Sequence, residues 1–235
     1  MTSNLVELLS RTSLFHDLEP EVIGAVASQG HERSYRRGES IFLEGEPSDA
    51  FYVIADGTVK VFVHSGSGEQ MVFAILSSPE SLGDVALFDG GLRSASAEAI
   101  ETTTRLAVFP LSTVEALVRE DARVARALLR AAGVMLRRLS TQTADFVFLD
   151  LEGRVAKVLA LSVGRRRIDG DDAVPLDLRL TQSELGAMVG GSRQSVNQSL
   201  HALAHRGFIS IDGRNVVVRD LVGLRRRAGM DVSDI

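Results

Sequence analysis

The chain has 235 residues, 45% hydrophobic and 24% charged, the balance of an ordinary folded protein with room for one large or two medium domains. It has no cysteine, which excludes disulfides, thiolate nucleophiles, iron–sulfur clusters and cysteine-based zinc sites. The net charge of −5 hides an asymmetry: residues 1–150 hold 13 Lys+Arg against 21 Asp+Glu, whereas residues 151–235 hold 13 against 10, so an acidic module is joined to one suited to meet phosphate.

The opening stretch MTSNLVELLSRTSLF lacks the basic start and apolar run of a signal peptide. No apolar run is long enough to span a bilayer, so the expectation is a cytoplasmic protein with no membrane partner. Residues 4–29 carry apolar positions at helical spacing and predict short helices. From Glu39 to Pro110 the texture changes to short β-rich runs, SIFLEG, AFYVIADGTVKVFVHSGSGEQMVFAIL and AEAIETTTRLAVFP, punctuated by Gly38, Gly45, Asp56-Gly57 and SGSG. In TVKVFVH, Val59, Val61 and Val63 share one face while Lys60, Phe62 and His64 share the other. Many short strands with glycine turns predict a sandwich or jelly-roll barrel. Within it, GDVALFDGGLRSASAEA (83–99) places the Asp84 carboxylate and the Arg93 guanidinium in a glycine-bearing loop beside a short helical turn. A ligand with hydroxyls and a phosphate would explain that pairing, and so would a surface turn with a salt bridge.

STVE at 112–115 has the form of a capping box. A long helix is expected from near Asp121 to about Leu149. Leu128, Met135, Gln142 and Leu149, interleaved with Ala125, Ala132, Leu139 and Phe146, form a heptad seam, with Gln142 as a buried polar residue fixing register. A small barrel cannot cover a helix of that length, so the seam predicts a dimer rather than packing on its own barrel.

After Glu152-Gly153 come a helix over 154–163 and the charged loop GRRRIDGDDAVP. Then LTQSELGAMVGGSRQSVNQSLHALAHRGFISIDGRNVVVRD (180–220) changes the class of the argument. Thr181 and Glu184 form a capping box, and Gln182 lies in the first turn it starts. Leu185, Met188 and Val189 are that helix's apolar face, and Gly190-Gly191 breaks it. Ser192 caps a second helix running to about Arg206, where Gly207 supplies the left-handed end. Val196, Leu200 and Leu203 face inward, so Arg193, Gln194, Asn197, Gln198 and His201 face outward. Two helices joined by a tight glycine turn are a helix-turn-helix, and FISI-DGRN-VVVR reads as a hairpin wing. Arg, Gln and Asn carry forked donors and acceptors that match base edges, and this outer face has no acid near the helix start. Arg206 and Arg214, at the helix end and in the wing, are expected on phosphates.

Other chemistries lack their residues. Of the five histidines, His16, His31, His64, His201 and His205, only His64 lies in the barrel segment, and no nucleophile motif holds Ser, His and Asp together. An enzyme is not expected. A nucleotide-binding module acting on a protein partner is the remaining alternative to a DNA-binding regulator.

With these modules in order, the chain resembles the catabolite activator / fumarate-nitrate regulator family of bacterial transcription factors. RRGESIFLEGEPSDAFYVIADGTVKVF is similar to the family's cyclic-nucleotide barrel, GDVALFDGGLRSA to its phosphate cassette, FLDLEGRVAKVLALS to its hinge and TQSELGAMVGGSRQSV to its helix-turn-helix. The resemblance implies an α+β fold: an effector barrel over 1–118, a long dimerisation helix and hinge over 119–150, and a winged helix-turn-helix over 151–235. It implies a homodimer binding pseudo-palindromic double-stranded promoter DNA, with RNA polymerase as a further partner and a cyclic nucleotide such as cyclic AMP as effector.

By the same resemblance, Gly83 and Asp84 would hold the ribose hydroxyl and Arg93 and Ser94 the cyclic phosphate. The sequence also departs from the pattern. Asp84 stands where the family usually has glutamate. Ala74 replaces a common serine near the base, and Leu139 replaces an adenine-reading hydroxyl residue, with Ser140 next to it. Arg193 matches the guanine reader, whereas Gln194 and Gln198 replace an acid and a second arginine. The phosphate end of the effector site is retained and the base end altered, which leaves open cyclic AMP, another nucleotide or a vestigial site.

Overall fold

The computed structural model describes residues 2–163, 174–176, 180–212 and 215–230. They form two compact units, residues 1–138 and 139–235.

The first unit opens with helices α1 (Thr2–Ser10) and α2 (Pro20–Ser28), followed by strands β1 (His31–Arg36), β2 (Ser40–Phe42), β3 (Ala50–Asp56), β4 (Thr58–His64), β5 (Gln70–Ser77) and β6 (Ser81–Leu82). A short helix α3 (Val85–Asp89), strands β7 (Ser96–Ala99) and β8 (Thr103–Pro110), and helix α4 (Leu111–Glu120) come next. The strands pair antiparallel into two four-stranded sheets, ordered β1-β8-β3-β6 and β2-β7-β4-β5, as expected of a jelly roll.

Strand β3 shows why the sequence here is apolar without a break. Ala50, Tyr52 and Ile54 point between the sheets into a core with Phe42, Val59, Ala74, Leu76 and Leu106. Phe51 and Val53 point the other way, into a second core with Leu9, Phe15, Val26 and Phe109. Phe51 stacks on Phe15 at 5.6 Å and on Phe109 at 5.1 Å. The helices cover the outer face of β3, so along this strand period-two alternation separates two interiors rather than inside from outside.

Three local expectations are corrected. β1 was not legible: in HERSYR only Tyr35 is buried, and the strand exists because it pairs along β8 from His31↔Val108 to Arg36↔Thr103. In β4 both faces are partly covered, and a register shift between Val61 and Phe62 breaks the strict alternation. Lys60 is buried there, 3.2 Å from Glu98 and 4.9 Å above the Phe62 ring. The capping box at Ser112 does not form: the cap position of α4 falls two residues earlier, at Pro110, with no side-chain cap. Its first N–H, from Leu111, donates instead to the Asp49 carbonyl at 2.9 Å, so the neighbouring strand does the capping.

Helix α5 (Ala122–Phe148) matches the expected long helix. Its 27 residues would extend about 40 Å at ~1.5 Å per residue. Val124, Ala127 and Leu128 are buried, and Val124 and Leu128 join the first unit's core.

The second unit contains α6 (Leu151–Ser162), β9 (Val174–Leu176), α7 (Gln182–Val189), α8 (Arg193–His205), β10 (Ile209–Asp212), β11 (Asn215–Val218) and α9 (Leu221–Arg227). Val155, Leu159, Leu185, Val196, Leu203, Val216 and Leu224 share its core. The wing hairpin β10–β11 is extended by β9, a strand the charged loop concealed. Helix α6 starts before Gly153, not after it, because Asp150 caps it by accepting from the Gly153 N–H at 2.8 Å. Among the described residues no helix is long and apolar enough to cross a membrane.

Candidate functional site

In the first unit the loop before α3 and the loop before β7 meet. Gly83 has φ +81°, and a Cβ there would lie 2.5 Å from Arg93 Nη1, so glycine is needed both for the turn and for the guanidinium beside it. Arg93 is 5% exposed. Its backbone is fixed from both sides, with the Arg93 N–H on the Glu46 carbonyl at 2.9 Å and the Gly45 N–H on the Arg93 carbonyl at 2.8 Å. Its Nη2 donates to the Ala50 carbonyl at 2.7 Å, and its Nε and Nη1 are enclosed with no acceptor. The nearest ion-pair partner is Asp49 at 4.0 Å, whose carboxylate is almost wholly exposed.

Asp84 sits at the start of α3 but does not cap it. Ser81 Oγ donates to Asp84 Oδ2 at 2.6 Å, while Oδ1 is enclosed without a partner, although the residue as a whole is only half-buried. Burial pushes this carboxyl up to about 6, and the Ser81 bond pulls the other way. An enclosed cation with spare donors and an enclosed carboxyl with a spare oxygen suit a ligand bearing both an oxyanion and a hydroxyl. The salt-bridge alternative for this loop has little support, since the one partner near Arg93 is distant and solvated. Ser94 is exposed beside Arg93, and Ala74 is buried in the barrel core. Leu139 and Ser140 are exposed on α5 and belong to the second unit. Among the described residues no cluster of His, Asp and Glu could hold a metal ion.

In the second unit the helix-turn-helix forms as expected. Thr181 accepts from the Glu184 N–H, and Glu184 accepts from the Thr181 N–H, a complete capping box ahead of Gln182. Gly190 ends α7 in the left-handed region at φ +67°, and the Ser192 hydroxyl accepts from the Ser195 N–H at 3.1 Å to start α8. Val196, Leu200 and Leu203 are buried, while Arg193, Gln194, Asn197, Gln198 and His201 are all exposed. The approach of the two helices depends on Gly186, where a Cβ would stand 2.5 Å from the Gly191 carbonyl oxygen. Backbone cannot give way as a flexible side chain can. Gly186→Ala is therefore expected to cost about 1–3 kcal/mol. Chemical denaturation of the second unit's transition, followed by circular dichroism, should show it; an unchanged midpoint would mean that the turn relaxes freely.

Arg206 lies at the far end of α8, half-exposed, with Nε 3.5 Å from Glu152. Arg214, expected in the wing, lies outside the described residues. An ion cluster that the sequence did not reveal surrounds the start of α6. Arg227 donates to both oxygens of Asp150, at 2.6 and 2.7 Å, and to Glu152 at 2.8 Å. The Arg227 bond first, and the Gly153 N–H second, hold the Asp150 carboxyl below its ordinary range. Arg154 donates to the carbonyls of Leu149 and Val189 and lies 5.0 Å above the Phe146 ring.

The residues of the expected seam on α5 have different surroundings within the single chain. Leu128 is taken into the core of its own unit. Phe146 packs against Gly190 and Arg154, and Leu149 lies against Gly229. Ala132 and Gln142 are half-buried. Met135 and Leu139 are 38% and 39% exposed, whereas Leu129, Leu136 and Val147 stand out at 73%, 64% and 70%. These last three, with Gly133, Ser140 and Thr143, succeed one another at steps of four and three, an exposed stripe one residue later than the expected seam.

Residues 32–121 match the family model of a cyclic nucleotide-binding domain, and residues 153–227 that of a Crp-like helix-turn-helix domain. A CRP-like cAMP-activated global transcriptional regulator of Mycobacterium tuberculosis is 34% identical over 94% of this chain and 99% of its own length. A cyclic AMP receptor protein of Thermus thermophilus is 35% identical over 88% of this chain and 92% of its own. Among solved structures, FixK2 of Bradyrhizobium japonicum is similar with a TM-score of 0.74 and 25% identity, covering 84% of this chain and 96% of that one.

Proposed function

Because the chain belongs to the catabolite activator / fumarate-nitrate regulator family of bacterial transcription regulators, we propose that it works as a homodimer on pseudo-palindromic promoter DNA, in the cytoplasm, under control of a cyclic nucleotide. The DNA-binding regulator itself follows from the family; its relatives are transcription regulators and not enzymes. The dimer, the effector and contact with RNA polymerase are the finer reading. The observation that carries the DNA-binding reading is the start of α8, where Arg193, Gln194, Asn197 and Gln198 are exposed together behind the Ser192 cap with no acid among them. Such a face can enter the major groove and match base edges.

Arg193 is the reader of a guanine in each half-site, with half-site centres ~34 Å apart. A bidentate pair is worth roughly 1–3 kcal/mol of discrimination. Arg193→Ala is expected to flatten the preference at that one position in both half-sites of a randomised-site selection. Coincident profiles for wild type and variant would remove Arg193 as a base reader. Thr181 and Gln182, at the start of α7, and Arg206 and Arg214 act on phosphates in this reading. Losing one such contact would weaken all sequences alike and reduce the salt dependence of binding.

The effector reading rests on the enclosed, unfilled donors of Arg93 and the unfilled oxygen of Asp84 beside Gly83, with Ser94 at the rim. Cyclic AMP is the first candidate. Ala74 and Leu139 present no hydroxyl, which favours as a second reading an effector with another base but the same phosphate. Calorimetry against a panel of cyclic mono- and dinucleotides, with and without promoter DNA, separates these. Binding of none of them at millimolar concentration would leave the barrel as a dimer scaffold.

A further inference from the structure

We propose that Phe42 and Tyr52 are positioning residues of the effector site, their rings holding the Arg93 guanidinium in its anion-reading pose before any ligand arrives. This rests on the reading of the barrel as a nucleotide site and deepens it.

The Arg93 side chain presents a difficulty that the barrel has to solve. It is a permanent cation enclosed in the protein, with a single hydrogen bond, to the Ala50 carbonyl. Asp49 is too far away and too solvated to neutralise it. Asp84 does not take that role either: its carboxylate accepts from Ser81 and forms no ion pair with Arg93. Aromatic faces lie against the guanidinium instead. Arg93 Cζ stands 4.3 Å from the centroid of Phe42 and 5.6 Å from that of Tyr52. The two rings are themselves 5.6 Å apart and tilted by 32°, so they form one continuous wall. The negative face of a ring stabilises a cation most where water is excluded.

The backbone explains how both rings reach this place. Phe42 ends β2 just where the pairing with β7 slips in register after Ser40. Tyr52 is paired with Leu82, the residue before Gly83, so its strand runs directly behind the cassette turn. Gly83 then removes the Cβ that would push Nη1 aside. Rings, the Ala50 carbonyl and the bare Gly83 thus fix the guanidinium while leaving Nε and Nη1 for an oxyanion. Neither ring has to touch the phosphate to affect its binding. Fixing the donor in advance removes an ordering cost from association.

The test uses full-length protein with cyclic AMP as the probe. Phe42→Leu keeps an apolar group but removes the ring face, and is expected to weaken cyclic AMP at least fivefold by calorimetry. Phe42→Tyr and Tyr52→Phe, which keep both rings, are expected to stay within twofold of wild type. A second readout needs no nucleotide. In spectra of protein labelled with nitrogen-15 arginine, the Arg93 Nε–H proton should be displaced upfield by the ring currents in wild type and return toward its ordinary position in Phe42→Leu. An Arg93 proton at its ordinary position in wild type overturns the proposal, as does Phe42→Leu binding cyclic AMP as well as wild type. A displaced proton in a wild type that binds no cyclic nucleotide would sink the effector reading and leave the clamp standing.

Discussion

Asp84→Asn is expected to stabilise the effector-free barrel at pH 7.5 and to leave it nearly unchanged near pH 4. The native carboxyl titrates at about 6 because burial disfavours its charge, against an ordinary value of 3.8. A raised native value means that the folded state holds the proton more tightly than the unfolded chain. The stability from this group is thus fully present below the ordinary value and is lost as pH rises through about 6. The full loss is on the order of 2–3 kcal/mol. Asparagine carries no charge and still accepts from Ser81, but its amide N–H groups take the place where Oδ1 has no partner. That offsets part of the gain, leaving ~1–2 kcal/mol, which is several degrees of melting temperature. Differential scanning calorimetry of wild type and variant between pH 4 and 7.5 reads this directly. Parallel curves would show that Asp84 is already solvated in the free protein. The same variant should bind a ribose-bearing effector more weakly, because a hydroxyl donates more strongly to a carboxylate than to an amide oxygen. In that case the barrel gives up stability at neutral pH to keep an acid ready for its ligand.

Leu136→Lys and Leu129→Lys are expected to convert the proposed dimer to monomers in sedimentation velocity, at a cost of several kcal/mol, since each would place two ammonium groups face to face if this exposed stripe is the seam. Leu128→Lys should act differently. It puts the charge inside the first unit's core, so its signature is a lowered melting temperature rather than clean dissociation. Met135→Lys, at the edge of the exposed stripe, should have a smaller effect than either. If Met135→Lys dissociates the dimer and Leu136→Lys does not, the seam lies where the heptads first place it and the exposed stripe has another use.

The one-residue offset between the expected seam and the exposed stripe marks the limit of the sequence reading. Along α5 two apolar stripes run side by side, one through Val124 and Leu128 and one through Leu129, Leu136 and Val147. Periodicity shows that both exist; which of them the barrel takes depends on α1 and α2, far away in the chain, and on β8. The helix-turn-helix was legible almost residue by residue, because capping at Thr181 and Ser192 and the turn at Gly190 are local chemistry. The cassette was legible as residue types and by resemblance, but not the rings beside Arg93. Phe42 and Tyr52 reach it only through strand pairing, which alternation does not encode. β1 and the start of α4 were missed for a related reason: a partner strand, and not their own side chains, makes them form.

The ion cluster at the start of α6 has a consequence for the order in which the protein is made. Asp150 and Glu152 leave the ribosome 77 and 75 residues ahead of the guanidinium that holds them. Domains tend to fold as they emerge, the N-terminal one first. The first unit can therefore be finished while the acids at the start of α6 still lack the Arg227 guanidinium. Until Arg227 is free of the exit tunnel the first turn of α6 has its Asp150 cap but not the cation that pins it, so the second unit cannot complete its fold before nearly the whole chain is made.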